Sequence, residues 1–110
     1  MKAPSTSYPR NRIKILLLEN IADAAVRELE SGGYTDIKRI DGALSEWQLI
    51  EAVRGVHLLG IRSKTRVTRG VIEAADKLLA IGAFCIGVNQ VDLRAATENG
   101  VAVFNAPYSN

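Results

Sequence analysis

The sequence predicts a doubly wound α/β domain, a parallel sheet of five strands in the order 2-1-3-4-5 with helices on both faces. Three observations lead there. Apolar runs at Ile13 to Leu18, Val56 to Ile61 and Leu78 to Ile81 are too continuous for strands with one wet face, and suit strands covered on both sides. The segments between strands show helical spacing of apolar residues, with cap residues at their starts and glycine or asparagine at their ends. A chain of 110 residues with 47% hydrophobic content supplies one core and leaves no room for a second of ordinary size.

In chain order, Met1 to Arg12 holds Pro4, Pro9, hydroxyl and basic residues but no carboxylate and no periodic apolar face, so residues 1–12 read as a flexible leader. The domain proper spans residues 13–110. After the strand at Ile13 to Leu18, Asn20 is a suitable cap for a helix with Ile21, Ala25 and Leu29 on one side, stopped by Gly32 and Gly33. Thr35 to Ile40 is a more polar strand carrying Lys38 and Arg39, as a sheet edge requires. Ser45 and Gln48 have capping-box spacing and open a helix through Ile50 and Val53 to Gly55. Val56 to Ile61 is the third strand. Thr68 caps a helix with Val71, Ile72 and Ala75 inward, and Leu78 to Ile81 is the fourth strand. Asp92 caps a short helix ending at Asn99 and Gly100, before a fifth strand at Val101 to Phe104.

Composition removes several function classes. Fourteen Lys and Arg against 12 Asp and Glu give a net charge of only +2, and no aromatic residue interleaves with Lys64, Arg66 and Arg69 to stack on bases, so a nucleic-acid partner is not expected. The longest apolar runs are far too short for a membrane span. One cysteine, Cys85, excludes an internal disulfide and a cysteine-based zinc site, and fits a reducing, cytoplasmic setting; no metal site is expected.

In a sheet of this topology ligands bind beyond the carboxyl ends of the strands, near the point where strand order reverses. That edge collects Glu19 and Asn20, Arg62 and Ser63, the stretch Gly82 to Gln90, and Asn105 to Asn110. Arg62 offers a fixed fork of donors suited to carboxylate or phosphate, and Ser63 adds a hydroxyl. Ala80 to Leu93, AIGAFCIGVNQVDL, has glycines that let peptide N–H groups approach an anion. A triphosphate loop is excluded because Val88 and Asn89 stand where it needs Lys and Ser or Thr. The dinucleotide fingerprint also fails, with Phe84 at its second glycine, so this chain is not expected to bind NAD by itself. A phosphoacceptor receiver domain would need an aspartate after the third strand and a lysine after the fifth, where Arg62 and Asn105 stand. His57, the only histidine, falls at the opposite end of the sheet. Cys85 has no histidine to activate it, and reads as a small buried residue; Trp47 reads as a helix-surface packing residue.

GIRSKT (Gly60 to Thr65), AIGAFCIGVNQVDL and VFNAPYSN (Val103 to Asn110), in this order and spacing, closely resemble the amino-terminal part of the D-isomer-specific 2-hydroxyacid dehydrogenase family, in the branch that oxidises 3-phosphoglycerate. The resemblance covers Ile13 to Asn110 and implies a flavodoxin-like substrate-binding domain. It further implies that backbone amides of Ile86 and Gly87 hold the substrate carboxylate, and that Arg62, Ser63 and Asn110 line the same pocket. The implied reaction is oxidation of 3-phosphoglycerate at C2 to 3-phosphohydroxypyruvate with NAD, in serine biosynthesis, by an intact enzyme that is a homo-oligomer. NAD and the catalytic residues would come from a Rossmann domain these 110 residues do not contain, so the chain alone is expected to be inactive. Asp41 departs from the family pattern, in which some members carry a lysine there. The alternatives are the substrate domain of an enzyme for another D-2-hydroxy acid, or an interaction module of the same fold without the chemistry.

Overall fold

In the computed structural model, which describes residues 9–105, the strands are β1 (Ile15–Leu17), β2 (Ile37–Arg39), β3 (Leu58–Ile61), β4 (Ala80–Ala83) and β5 (Ala102–Asn105). All pairs are parallel and the order is β2-β1-β3-β4-β5, as the alternation of elements requires. The helices are α1 (Asp23–Ser31), α2 (Glu46–Ala52), α3 (Arg69–Ala74) and α4 (Leu93–Glu98). Alternation along β1 sends Leu16 and Leu18 into a core shared with α2, α3 and α4, and Ile15 and Leu17 into a second core under α1.

Caps set three helix starts as the sequence requires. Ser45 and Gln48 form a complete capping box on α2, Thr68 accepts from Val71 N–H on α3, and Asp92 accepts from Ala95 N–H on α4. The start of α1 differs from expectation. Asn20 does not cap it: Glu19 and Asn20 take positive φ values of 62° and 54°, and the helix begins at Asp23 after Ala22, with no side-chain cap. Asn20 is instead used for its tolerance of the left-handed region. Arg39 stabilises this helix start, pairing with Asp23 at 2.9 Å and donating to the Ile21 carbonyl at 2.7 Å.

Other boundaries move as well, β1, β2 and β3 being shorter than the expected segments. β4 lies two residues later than the apolar run suggests, because Leu78 is a buried anchor of the α3–β4 turn, its N–H donating to the Ala75 carbonyl. Residues 1–8 lie outside the described residues, but Arg10–Arg12, expected within a flexible leader, form a 3-10 turn. Arg10 donates to the Gly32 carbonyl at 2.8 Å and sits over the Tyr34 ring, which ties the turn to the end of α1.

One row across the sheet fixes how closely its layers approach. Leu17, Gly60, Gly82 and Phe104 are successive register partners on β1, β3, β4 and β5. A Cβ on Gly60 would lie 2.6 Å from Leu17 Cδ2 and 3.2 Å from Phe84 Cε1, and one on Gly82 would lie 3.1 Å from the Phe104 ring. The absent side chains are therefore what lets Phe84 fold back over the sheet at the end of β4.

Candidate functional site

The carboxyl ends of β1, β3 and β4 each continue directly into a loop, and the loops meet. After β3, Arg62 and Ser63 form one wall of a cleft of about 390 Å³; after β4, Cys85, Ile86 and Gly87, with Gln90, form the other. Four of the expected site residues, Arg62, Ser63, Ile86 and Gly87, are thus brought together. Asn110 lies outside the described residues. A second cavity, of about 290 Å³, lies between Arg62, Ser63 and Lys64 and the Asp41–Ala43 turn.

Hydrogen bonds hold both walls in register. The Gln90 amide donates to the Arg62 carbonyl at 2.9 Å and to Cys85 Sγ at 3.0 Å. Val67 N–H donates to the Gln90 carbonyl and Asp92 N–H to the Val67 carbonyl, so a short parallel bridge between Val67 and Val91 extends the sheet past the two loops. From β5, Asn105 donates its side-chain amide to the carbonyls of Cys85 and Ile86 at 3.0 and 3.3 Å. These contacts turn the carbonyls of the β4 loop toward the scaffold. The N–H groups of Ile86 and Gly87 donate to none of the described residues, and the Ile86 side chain is 99% exposed. Backbone donors beside an arginine and a serine make a site for a small carboxylate or phosphate.

Glu19 supports the first wall. It is only 8% exposed, and its carboxylate accepts from the N–H groups of Arg62 at 2.8 Å, Lys64 at 2.9 Å and Thr65 at 3.0 Å. Burial alone would raise its pKa; the Thr65 hydroxyl and the three backbone donors outweigh burial and hold it below the ordinary carboxylate value. The Thr65 hydroxyl closes no hydrogen bond of good geometry, so the main-chain donors are the firmer part of this effect. Because the folded value is depressed, Glu19 stabilises the fold above its unfolded value near 4.5, and that contribution is lost as pH falls through the folded value. Melting temperatures measured from neutral pH down through this window should fall more steeply for the wild type than for Glu19→Gln. Parallel curves would remove Glu19 as the cause.

The remaining polar candidates lie elsewhere or play smaller parts. His57 is buried at the opposite edge, where its Nδ1 accepts from Lys14 N–H at 3.0 Å. Burial first, then the Lys77 and Lys14 cations, push its pKa below the ordinary value. Cys85 is half-buried rather than buried, its thiol donating to the Gly87 carbonyl within the β4 loop. Trp47, expected to pack, is 74% exposed on α2. Sequence reasoning placed Glu19 at this edge without its role, for which the one cue is a carboxylate directly after a buried strand. It missed Gln90 as a fastener, and no local signal marks that residue.

Comparison with known proteins adds the family. Residues 15–110 match the model of the D-isomer specific 2-hydroxyacid dehydrogenase, catalytic domain. The chain belongs to this family. As a 2-hydroxyacid dehydrogenase family member, it is 50% identical over 107 residues to D-3-phosphoglycerate dehydrogenase of Dictyostelium discoideum, covering 97% of this chain and 26% of that protein. It is 51% identical over 104 residues to D-3-phosphoglycerate dehydrogenase of Escherichia coli strain K12, covering 94% and 25%. The chain thus spans about a quarter of the length of these curated relatives. Among solved structures, the apo D-lactate dehydrogenase of Escherichia coli superposes on 86% of this chain and 32% of its own with a TM-score of 0.71 at 27% identity. An NAD+-bound 3-phosphoglycerate dehydrogenase from Entamoeba histolytica shares the fold with a TM-score of 0.71 at 19% identity, over 86% of this chain and 33% of its own.

Proposed function

We propose that this chain is the substrate-binding part of an NAD-dependent D-3-phosphoglycerate dehydrogenase, which oxidises 3-phosphoglycerate at C2 to 3-phosphohydroxypyruvate in serine biosynthesis. The observation that carries the reading is the single cleft formed by Arg62, Ser63, Ile86 and Gly87, in a chain half identical to relatives of that name. In this reading the Ile86 and Gly87 amides hold the substrate carboxylate, Arg62 recognises an anionic end, and Ser63 and Asn110 line the same pocket. The residues offer NAD no site of their own, since no GxGxxG occurs and Phe84 occupies the middle of the nearest candidate. NAD and the proton and hydride chemistry belong to the Rossmann part of the enzyme, outside these 110 residues, and the intact enzyme is a cytoplasmic homo-oligomer.

Arg62→Ala in the enzyme carrying this chain is expected to raise KM for 3-phosphoglycerate by ~10 to 100-fold, from loss of a charge-assisted contact of about 1.5 to 3 kcal/mol. An unchanged KM would move the anion contact elsewhere. A second reading, a substrate domain for a less anionic 2-hydroxy acid, is favoured by Asp41, whose carboxylate lines the cavity next to Arg62. Steady-state kinetics with D-lactate and D-glycerate beside 3-phosphoglycerate separate the two: preference for an unphosphorylated acid supports the second.

A further inference from the structure

The loop after β3 looks, from its sequence, like an anion-binding loop, with Arg62, Ser63, Lys64 and Thr65 in succession. Its backbone has already found an anion. Three of its N–H groups converge within 3.0 Å on the Glu19 carboxylate, as successive peptide donors converge on a bound anion in a nest. An external anion at this edge therefore finds the Arg62, Lys64 and Thr65 amides already engaged and meets chiefly the side chains of that loop. Glu19 helps set where that loop places them, together with the Gln90 amide bonded to the Arg62 carbonyl.

Glu19 reaches the loop at a cost in backbone conformation. Like Asn20 it takes a left-handed φ value, which Asn tolerates but which a glutamate adopts only when the surroundings hold it there. The surroundings do: Leu18 N–H donates to the Gly60 carbonyl, Glu19 N–H to Gly42 and Asn20 N–H to Ile40. Two left-handed residues in succession redirect the chain at the end of β1 and turn a buried carboxylate across the neighbouring strand. Glu19 does not line the cleft between Arg62 and the Ile86–Gly87 turn. Its effect on anything bound in that cleft is exerted through the loop.

We propose that Glu19 is a positioning residue of the anion site: its buried carboxylate serves as the internal anion that fixes the Arg62–Thr65 backbone, and so holds the Arg62 and Ser63 side chains toward the cleft opposite Ile86 and Gly87. This rests on the reading of Arg62 as the substrate's anion contact, and extends it to the residue that sets where Arg62 stands. Glu19→Gln is nearly isosteric but replaces one acceptor oxygen with a donor facing the same peptide N–H groups, so it breaks the nest without deleting volume.

The test uses the chain labelled with 13C and 15N, with 3-phosphoglycerate as the probe. In the wild type the Arg62, Lys64 and Thr65 amides should be slow to exchange and rigid on the ps–ns timescale. In Glu19→Gln these three should lose protection and gain mobility while strand amides keep theirs. Affinity for the probe, read from shifts at Ile86 and Gly87, should fall at least about 10-fold, and Glu19→Asp, which keeps the charge, should restore part of it. Leu49→Ala, a core change in α2 away from the site, is the control for destabilisation alone and should leave affinity unchanged in the folded protein. A folded Glu19→Gln chain with wild-type protection at Arg62, Lys64 and Thr65, or with wild-type affinity, overturns the proposal. If Glu19→Gln does not fold, the wild type decides by titration: the three amides must shift with the Glu19 carboxyl carbon at one common midpoint, and independent titration overturns it. A wild type that binds no 3-phosphoglycerate sinks the substrate assignment, while the exchange and relaxation readouts still decide the hold of Glu19 on the loop.

Discussion

Gly60→Val is expected to destabilise the domain by about 3 kcal/mol or more. Its first added atom already lies 2.6 Å from Leu17 Cδ2, with Ile21 and Phe84 at 3.1 and 3.2 Å, and the two further methyl groups have the same buried surroundings. Overpacking costs about 1 to 3 kcal/mol where neighbours can give way and more where they cannot. Leu17 is itself buried between strands and α1, so its shift displaces the whole row from Leu17 to Phe104. Set against a total stability of roughly 5 to 15 kcal/mol, a loss of ~3 kcal/mol or more moves the urea midpoint steeply downward. Circular dichroism against urea reads it, with Gly60→Ala as the milder member of the series. A valine variant with the wild-type midpoint would mean that the sheet and α1 separate at little cost.

Ile61→Ala tests the same strand from the other face. Ile61 is fully buried, is the last residue of β3 and directly precedes Arg62. Its carbonyl accepts from Phe84 N–H at 2.8 Å, so the residue anchors the base of both loops. Truncation leaves a cavity costing about 2 to 5 kcal/mol, which for a domain of this size lowers Tm by about 8 °C or more. Differential scanning calorimetry supplies the measurement. A drop within 2 to 3 °C, on the order of half a kcal/mol by the same scaling, would show that the site collapses onto the gap.

What the sequence made legible follows from which interactions are local. The capping box of Ser45 and Gln48 and the caps at Thr68 and Asp92 are decided within three residues, and all three formed as read. Strand order came from alternation and handedness, which do not depend on boundaries. The errors arose where packing or a distant partner overrides a local preference. Asn20 is a good cap by type, yet its neighbour's carboxylate is needed across β3, and the chain turns left-handed to deliver it. Leu78 is apolar enough for a strand, but packing in the α3–β4 turn claims it first. The cleft residues Arg62 and Ser63 were found because they directly follow a strand; Gln90 was not, because its bond to Arg62 spans 28 positions.

The three N–H groups within 3.0 Å of the Glu19 carboxylate, and both donors proposed for the substrate carboxylate, belong to the main chain. A peptide N–H is provided by every residue type except proline. The side chains at Lys64 and Ile86, both exposed, are thereby released from keeping the fold. Mutational drift at those two positions can change the lining of the two cavities while the scaffold persists, and proline is the substitution that selection must purge from Arg62, Lys64 and Thr65.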